Sequence, residues 1–210
     1  MTEKMSEHND YLSSISEFNS KGKVLITGSF SNSLMADFAG HQFIEANEAA
    51  VNLGLSYTTI LIDSEGGSIA TLQKIVSCMD MFRPNSDHKY IGYTTVQAVS
   101  AAFDLLQYCD WRVCYPGTSL LLHYGSMNIT NYEQAMLYEN PRKAMKYQLA
   151  RLDDTLKLYA RRSKLNKTQL HDLCKSDARI TGRQALEFGF IDELIEVAPE
   201  SIPERPNYSL

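Results

Sequence analysis

The chain has 210 residues, 44% of them hydrophobic and 21% charged, and a formal net charge of −5. This length and composition fit a single globular domain with a sizeable core and exclude a disordered chain. Lysine and arginine are scattered rather than gathered into a phosphate-tracking stripe, and no run reaches the roughly 18 apolar residues of a membrane span, so neither nucleic acid nor a membrane is an expected partner.

Met1 to Asp10 is polar and mixed in charge, without the apolar stretch of a secretory signal, which points to the cytoplasm. Residues 1–22 carry Ser, Asn and Glu without sustained periodicity and read as a flexible or partner-ordered arm. Compact structure is expected from Lys23. Lys23 to Gly28 is a short apolar strand, followed by Ser31-Asn32-Ser33, which can cap a helix reaching about Asn52 with Leu34, Phe38 and Phe43 or Ile44 facing inward.

Thr58 to Asp63 is a second buried strand, broken at Ser64-Glu65-Gly66-Gly67-Ser68 before a helix whose apolar face carries Ile69, Leu72, Ile75, Val76 and Met79. Lys89 to Thr94 reads as a third strand and Ser100 to Tyr108 as a short helix. Arg112 to Tyr115 and Ser119 to Tyr124 are further strands around a Pro116-Gly117 turn. Alternation of apolar strands with helices predicts an α/β fold, its parallel sheet covered by helices.

From Pro141 to Ser163 a long helix presents Met145, Leu149, Leu152, Leu156 and Tyr159 in steps of four and three, a stripe that calls for a partner helix. Two shorter helices follow, with Asn166 and Gln169, then Thr181 and Gln184, spaced as capping boxes. Gly189 ends the second, Phe190 to Val197 reads as a last strand, and residues 199–210 as an irregular tail. The four cysteines form no CxxC pair and read as reduced core thiols. His171 and Cys174 share a helix face but lack companions for a metal site.

Several residues can carry chemistry, although each has an ordinary reading. The glycines of Ser64 to Ser68 let backbone N–H groups approach a ligand, yet any strand-to-helix junction needs such a turn. Ser100, among small apolar residues at a helix start, is either a cap or an exposed nucleophile beside a free N–H. His123 ends an apolar strand, where a core histidine with satisfied hydrogen bonds is common. Asp177 can simply pair with Arg179. Together they supply a hydroxyl, a base and an acid to orient the base, the set that acyl transfer at neutral pH requires.

The segments around these residues resemble the ClpP-type serine peptidases, the caseinolytic proteases of peptidase family S14. Ile62 to Ser68 is similar to the family's N-S-P-G-G-[SV] segment, and Gln97 to Leu106 to its G-Q-A-A-S-M-G-A-F-L-L. Leu120 to His123 matches V-M-I-H, and Ser176 to Thr181 with Ala185 to Asp192 matches R-D-x-F-[LM]-[ST] and A-x-E-Y-G-L-[IV]-D. The resemblance runs from about Lys23 to Val197.

That resemblance implies a ClpP/crotonase-like fold of repeated ββα/βαβ units over residues 23–198, with a protruding handle over about 124–163. It implies Ser100, His123 and Asp177 as catalytic residues and the N–H groups of Gly67 and Ala101 as an oxyanion hole. Gly66, Ser68, Tyr124 and Gly125 would hold substrate, with no cofactor and no metal. Stacked heptameric rings of this chain would enclose the chamber, with a Clp-family AAA+ ATPase as a possible partner and unfolded polypeptide as substrate. Departures are Glu65 in place of proline, Ala101-Ala102 for Met-Gly, Tyr124-Gly125 for Gln-Pro, and Ser176 for arginine. Alternative readings are a catalytically silent ring subunit acting as scaffold, and a specialised or viral peptidase without the usual unfoldase. The acyl-CoA enzymes of the same fold superfamily are a poor fit, because His123 and Asp177 do not suit their proton transfer.

Overall fold

The computed structural model describes residues 12–30, 33–83, 87–124 and 138–195. Its centre is three parallel strands, β1 (Lys23–Phe30), β2 (Tyr57–Gly67) and β3 (Lys89–Thr94), with Val24 opposite Ile60 and Ile60 opposite Gly92. The first two read as continuous apolar runs because both faces of the sheet are covered. Val24, Ile26, Ile60 and Ile62 belong to the main core, while Leu25 and Leu61 join a smaller cluster with Ile15 and Phe18.

Ile15 and Phe18 lie three apart on α1 (residues 12–19), a helix within the stretch that the sequence reading treats as an arm. A helix of only two turns has little periodicity to detect, and its order comes from burying this pair against strands that are distant in sequence. Residues 1–11, and the tail expected at 199–210, fall outside the described residues.

After β3 the chain forms β4 (Gln97–Val99), β5 (Trp111–Cys114), β6 (Ser119–Leu121), β7 (Arg179–Thr181) and β8 (Glu193–Leu194). The order is β7-β6-β4-β2-β3-β5-β8, with β1 also paired to β2, and β7 is antiparallel to β6. β2 changes neighbour along its length, since Tyr57 to Leu61 pair with β3 and Ser64 pairs with Ala98 of β4. Its register against β1 shifts between Thr27–Asp63 and Ser29–Gly66. This irregularity carries the strand through Gly67, past the break expected at Ser64.

Helices cover the sheet: α2 (Ser33–Asn52), α3 (Ile69–Phe82), α4 (Ala101–Tyr108), α5 (Pro141–Arg162), α6 (Lys167–Lys175) and α7 (Gly182–Phe188). β1 would expose unpaired backbone along its free edge. The buried Gln42 of α2 prevents this at Leu25, accepting from its N–H at 3.0 Å and donating to its carbonyl at 3.1 Å. Phe43 is fully buried whereas Ile44 is 40% exposed, which resolves the alternative left by periodicity.

α5 behaves differently along its length. Leu156 and Tyr159 are buried, and Tyr159 meets Phe103 of α4 and Phe190 edge-on at 5.6 and 5.9 Å between ring centroids. Met145 and Leu149 are 54% and 55% exposed. Both predicted capping boxes are present, at Asn166 with Gln169 and at Thr181 with Gln184, and Gly189 ends α7 in the left-handed conformation at φ 84°. Among the described residues no helix is long and apolar enough to cross a membrane.

Candidate active site

Ser100 follows the carboxyl end of β4, His123 lies two residues past the carboxyl end of β6, and Asp177 lies two residues before β7. β4 and β6 are parallel, with Val99 beside Leu121, and β7 is antiparallel, with Leu121 beside Arg179. All three segments therefore reach the same end of the sheet. This is where an open parallel sheet presents its loops to a ligand.

Ser100 occupies the position before the first turn of α4, with φ 58° and ψ −127°. It makes no side-chain cap, although a cap is the ordinary explanation of a serine there. Its Oγ is instead 2.7 Å from Nε2 of His123. The backbone is fixed from both sides, because Ser100 donates its N–H to Leu121 O at 3.0 Å and accepts from Asp104 N–H at 3.0 Å. Asp177, at φ 49°, is the other non-glycine residue with positive φ among the described residues. Such backbone costs about 1–3 kcal/mol per residue and persists where its surroundings enforce it.

Nδ1 of His123 is 3.1 Å from Oδ1 of Asp177. The histidine side chain is 23% exposed and that of Asp177 72%, so the acid end of this chain of hydrogen bonds faces solvent. An imidazole whose Nδ1–H donates to a carboxylate presents a lone pair at Nε2, the arrangement needed to accept a hydroxyl proton. Ala178, next to Asp177, donates to Leu173 O at 3.1 Å and accepts from Leu122 N–H at 3.4 Å, tying this loop to the strand that carries His123.

Gly66 lies directly behind the serine turn. A Cβ on Gly66 would stand 2.2 Å from Val99 O and 2.7 Å from Ala101 N, and its φ is 77°. No side chain fits there. Ser64 supports the loop, receiving the Gly66 N–H on its hydroxyl at 3.0 Å and donating to the carbonyl of Gly28. Ser68 caps α3 by accepting from Thr71 N–H at 3.4 Å.

A cleft of 1380 Å³ runs past these residues, and Gly67, Ser68, Ser100, His123, Tyr124 and Asp177 all line it. Gly66 and Ala101 are buried at its back. Gly125 lies outside the described residues. The hydroxyl of Tyr124 is 2.5 Å from Nδ1 of His171 on α6, and this engages the tyrosine that the resemblance offers to substrate. His171 thus has a polar partner in Tyr124.

One residue escapes sequence reasoning. Asp104 sits one turn after Ser100 and receives the hydroxyl proton of Tyr159 at 2.5 Å, linking α4 to α5 within the cleft wall. Burial pushes its carboxyl up to about 6, against the lowering effect of the Tyr159 hydrogen bond. The available signal was a lone carboxylate in the apolar run Ala101 to Leu106.

The family model for Clp protease matches residues 8–198, most of the chain. The protein therefore belongs to the Clp protease family and has the fold of the ClpP-type S14 peptidases. Its class is that of a peptidase, a hydrolase of peptide bonds. No curated protein matches the sequence.

Proposed function

We propose that the protein is a serine endopeptidase that cleaves unfolded polypeptides or peptides through an acyl-enzyme. The observation that carries this reading is the continuous chain of hydrogen bonds from Ser100 through His123 to Asp177. Nε2 of His123 takes the Ser100 proton as Oγ attacks the scissile carbonyl. The resulting imidazolium then gives that proton to the leaving amine. Water repeats the cycle on the acyl-serine, with His123 as base, and releases the acid. Asp177 holds Nδ1–H in place throughout and stabilises the positive ring.

The negative charge on the tetrahedral oxygen needs donors positioned before it forms. The N–H groups of Gly67 and Ala101 fill that role, supported by the side-chain-free approach of Gly66 to the start of α4. The chemistry uses no cofactor. Stacked rings of this chain would enclose the cleft, with the exposed outer half of α5 as the contact between them, and an AAA+ ATPase would supply unfolded substrate.

Ser100→Ala is expected to lose peptide hydrolysis and labelling by a small fluorophosphonate, with its thermal unfolding unchanged within about 1 kcal/mol. Intact-mass measurement of the labelled protein decides this. Wild-type protein that takes no label would favour the silent-scaffold reading, and a labelled Ser100→Ala variant would remove Ser100 from the mechanism.

A further inference from the structure

The cleft beside Ser100 is chemically one-sided. Four carboxylate residues line it, Glu65, Asp104, Asp154 and Asp177, and among the described lining residues there is no lysine or arginine. These acids are not equivalent. Asp177 is engaged by His123 at 3.1 Å, and Asp154 is paired with Lys157 at 3.1 Å. Glu65 lies exposed near the carboxyl end of β2. Asp104 is the one set into the wall of the cleft itself, on the helix that follows the serine, and part of its surface remains open.

The spacing gives Asp104 its meaning. Asp104 donates its N–H to Ser100 O at 3.0 Å, so it follows the serine by one backbone turn, and both residues line the same cleft. A substrate residue acylating Ser100 directs its side chain into the surrounding cleft. A lysine or arginine stem spans that turn and brings its cation to the carboxylate. Tyr159 occupies Oδ1 as a donor and contributes no charge, and its own proton is held more firmly by burial and by Asp104. Nearby apolar surface from Leu152 and Leu158 of α5 suits the aliphatic stem of such a side chain.

A carboxylate here is not neutral for the fold. Its proton affinity is raised by burial, so the ionised form at neutral pH is held against the preference of the site. A group present only to join α4 to α5 could accept from Tyr159 as a neutral amide without that cost.

We propose that Asp104 is a specificity-determining residue, and that the cleft selects peptides with a lysine or arginine on the acyl side of the cleaved bond. This rests on the serine-peptidase reading above, and the experiment separates the two. Wild-type protein is treated with two peptidyl diphenyl phosphonates identical except for lysine or norleucine at the reacting residue, and labelling rates are followed by intact mass. The lysine probe is expected to react at least about tenfold faster. In Asp104→Asn, which keeps an oxygen for Tyr159, the ratio is expected to fall towards one.

Equal rates, or a faster norleucine probe, overturn the proposal, as does a full lysine preference in folded Asp104→Asn. Should that variant not fold, the wild-type ratio alone decides. Protein that takes a small fluorophosphonate but neither peptidyl probe also overturns the specificity while leaving the nucleophile in place. Protein that takes none of the three overturns the peptidase reading itself.

Discussion

Asp104 carries a charge that its surroundings resist, and this makes stability depend on pH in a direction opposite to that of most carboxylates. In the folded chain its carboxyl is pushed up to about 6, from an ordinary value of 3.8. Between those values the folded state holds a proton that the unfolded state has released. The unfolded state binds fewer protons, so the contribution of this group to stability falls as pH rises from about 4 to about 6. The titratable groups around it, Tyr108, Tyr159 and Cys174, have their proton affinities raised and stay neutral over this range. Asp104→Asn should therefore be more stable than wild type by about 2–3 kcal/mol at pH 8, with the gap nearly closed at pH 4. Urea unfolding of both proteins at the two pH values measures it, and an equal gap at both would show that the carboxyl does not titrate in this way.

At the scale of elements, the chain fastens its last third to the sheet by an ion pair whose arginine is buried and whose carboxylate is half-buried. Arg112 of β5, 6% exposed at its side chain, meets Asp192 through Nε at 2.8 Å and through Nη2 at 2.7 Å. Its Nη1 also donates to Gln107 of α4 at 2.8 Å and to the carbonyl of Arg162 at the end of α5 at 2.9 Å. For Asp192, desolvation by itself would raise the carboxyl, but hydrogen bonds and charge from Arg112 hold it below its ordinary value. Its stabilising effect is accordingly present above the unfolded value and lost as pH falls through the folded one. Asp192→Ala leaves a buried guanidinium without its carboxylate and should cost about 3–5 kcal/mol, whereas replacing both partners by apolar residues should cost less. Denaturant midpoints for the single and double variants separate the two.

For the whole molecule, α5 is anchored at one end and exposes Met145 and Leu149 at the other. Tyr159, Phe103 and Phe190 close the inner end in an edge-to-face cluster, while Met145 and Leu149 continue the same stripe into solvent. If that outer half is the contact between rings, Leu149→Asp should reduce particle size in sedimentation velocity and leave single-chain unfolding within about 0.5 kcal/mol of wild type, as an exposed substitution does. Unchanged sedimentation would remove Leu149 from the contact.

Features held by local interactions were legible in the amino-acid order. Continuous apolar runs marked β1 and β2, and the cap spacings at Asn166 and Thr181 were readable because the bonds concerned span three residues. Other features depended on partners far along the chain. α1 exists because Leu25 and Leu61 need covering, β2 continues through Gly67 because β1 pairs with it, and three-residue β7 is defined only by β6. The same division holds at the site. Residue types and motif resemblance singled out Ser100, His123 and Asp177 without bringing them together. Their meeting is decided by topology, since the carboxyl ends of two parallel strands and the amino end of an antiparallel one share an edge of the sheet. Asp104 was hidden for the same reason: a carboxylate in an apolar helix acquires its meaning only from Tyr159, 55 residues away in sequence, and from the cleft that both helices enclose.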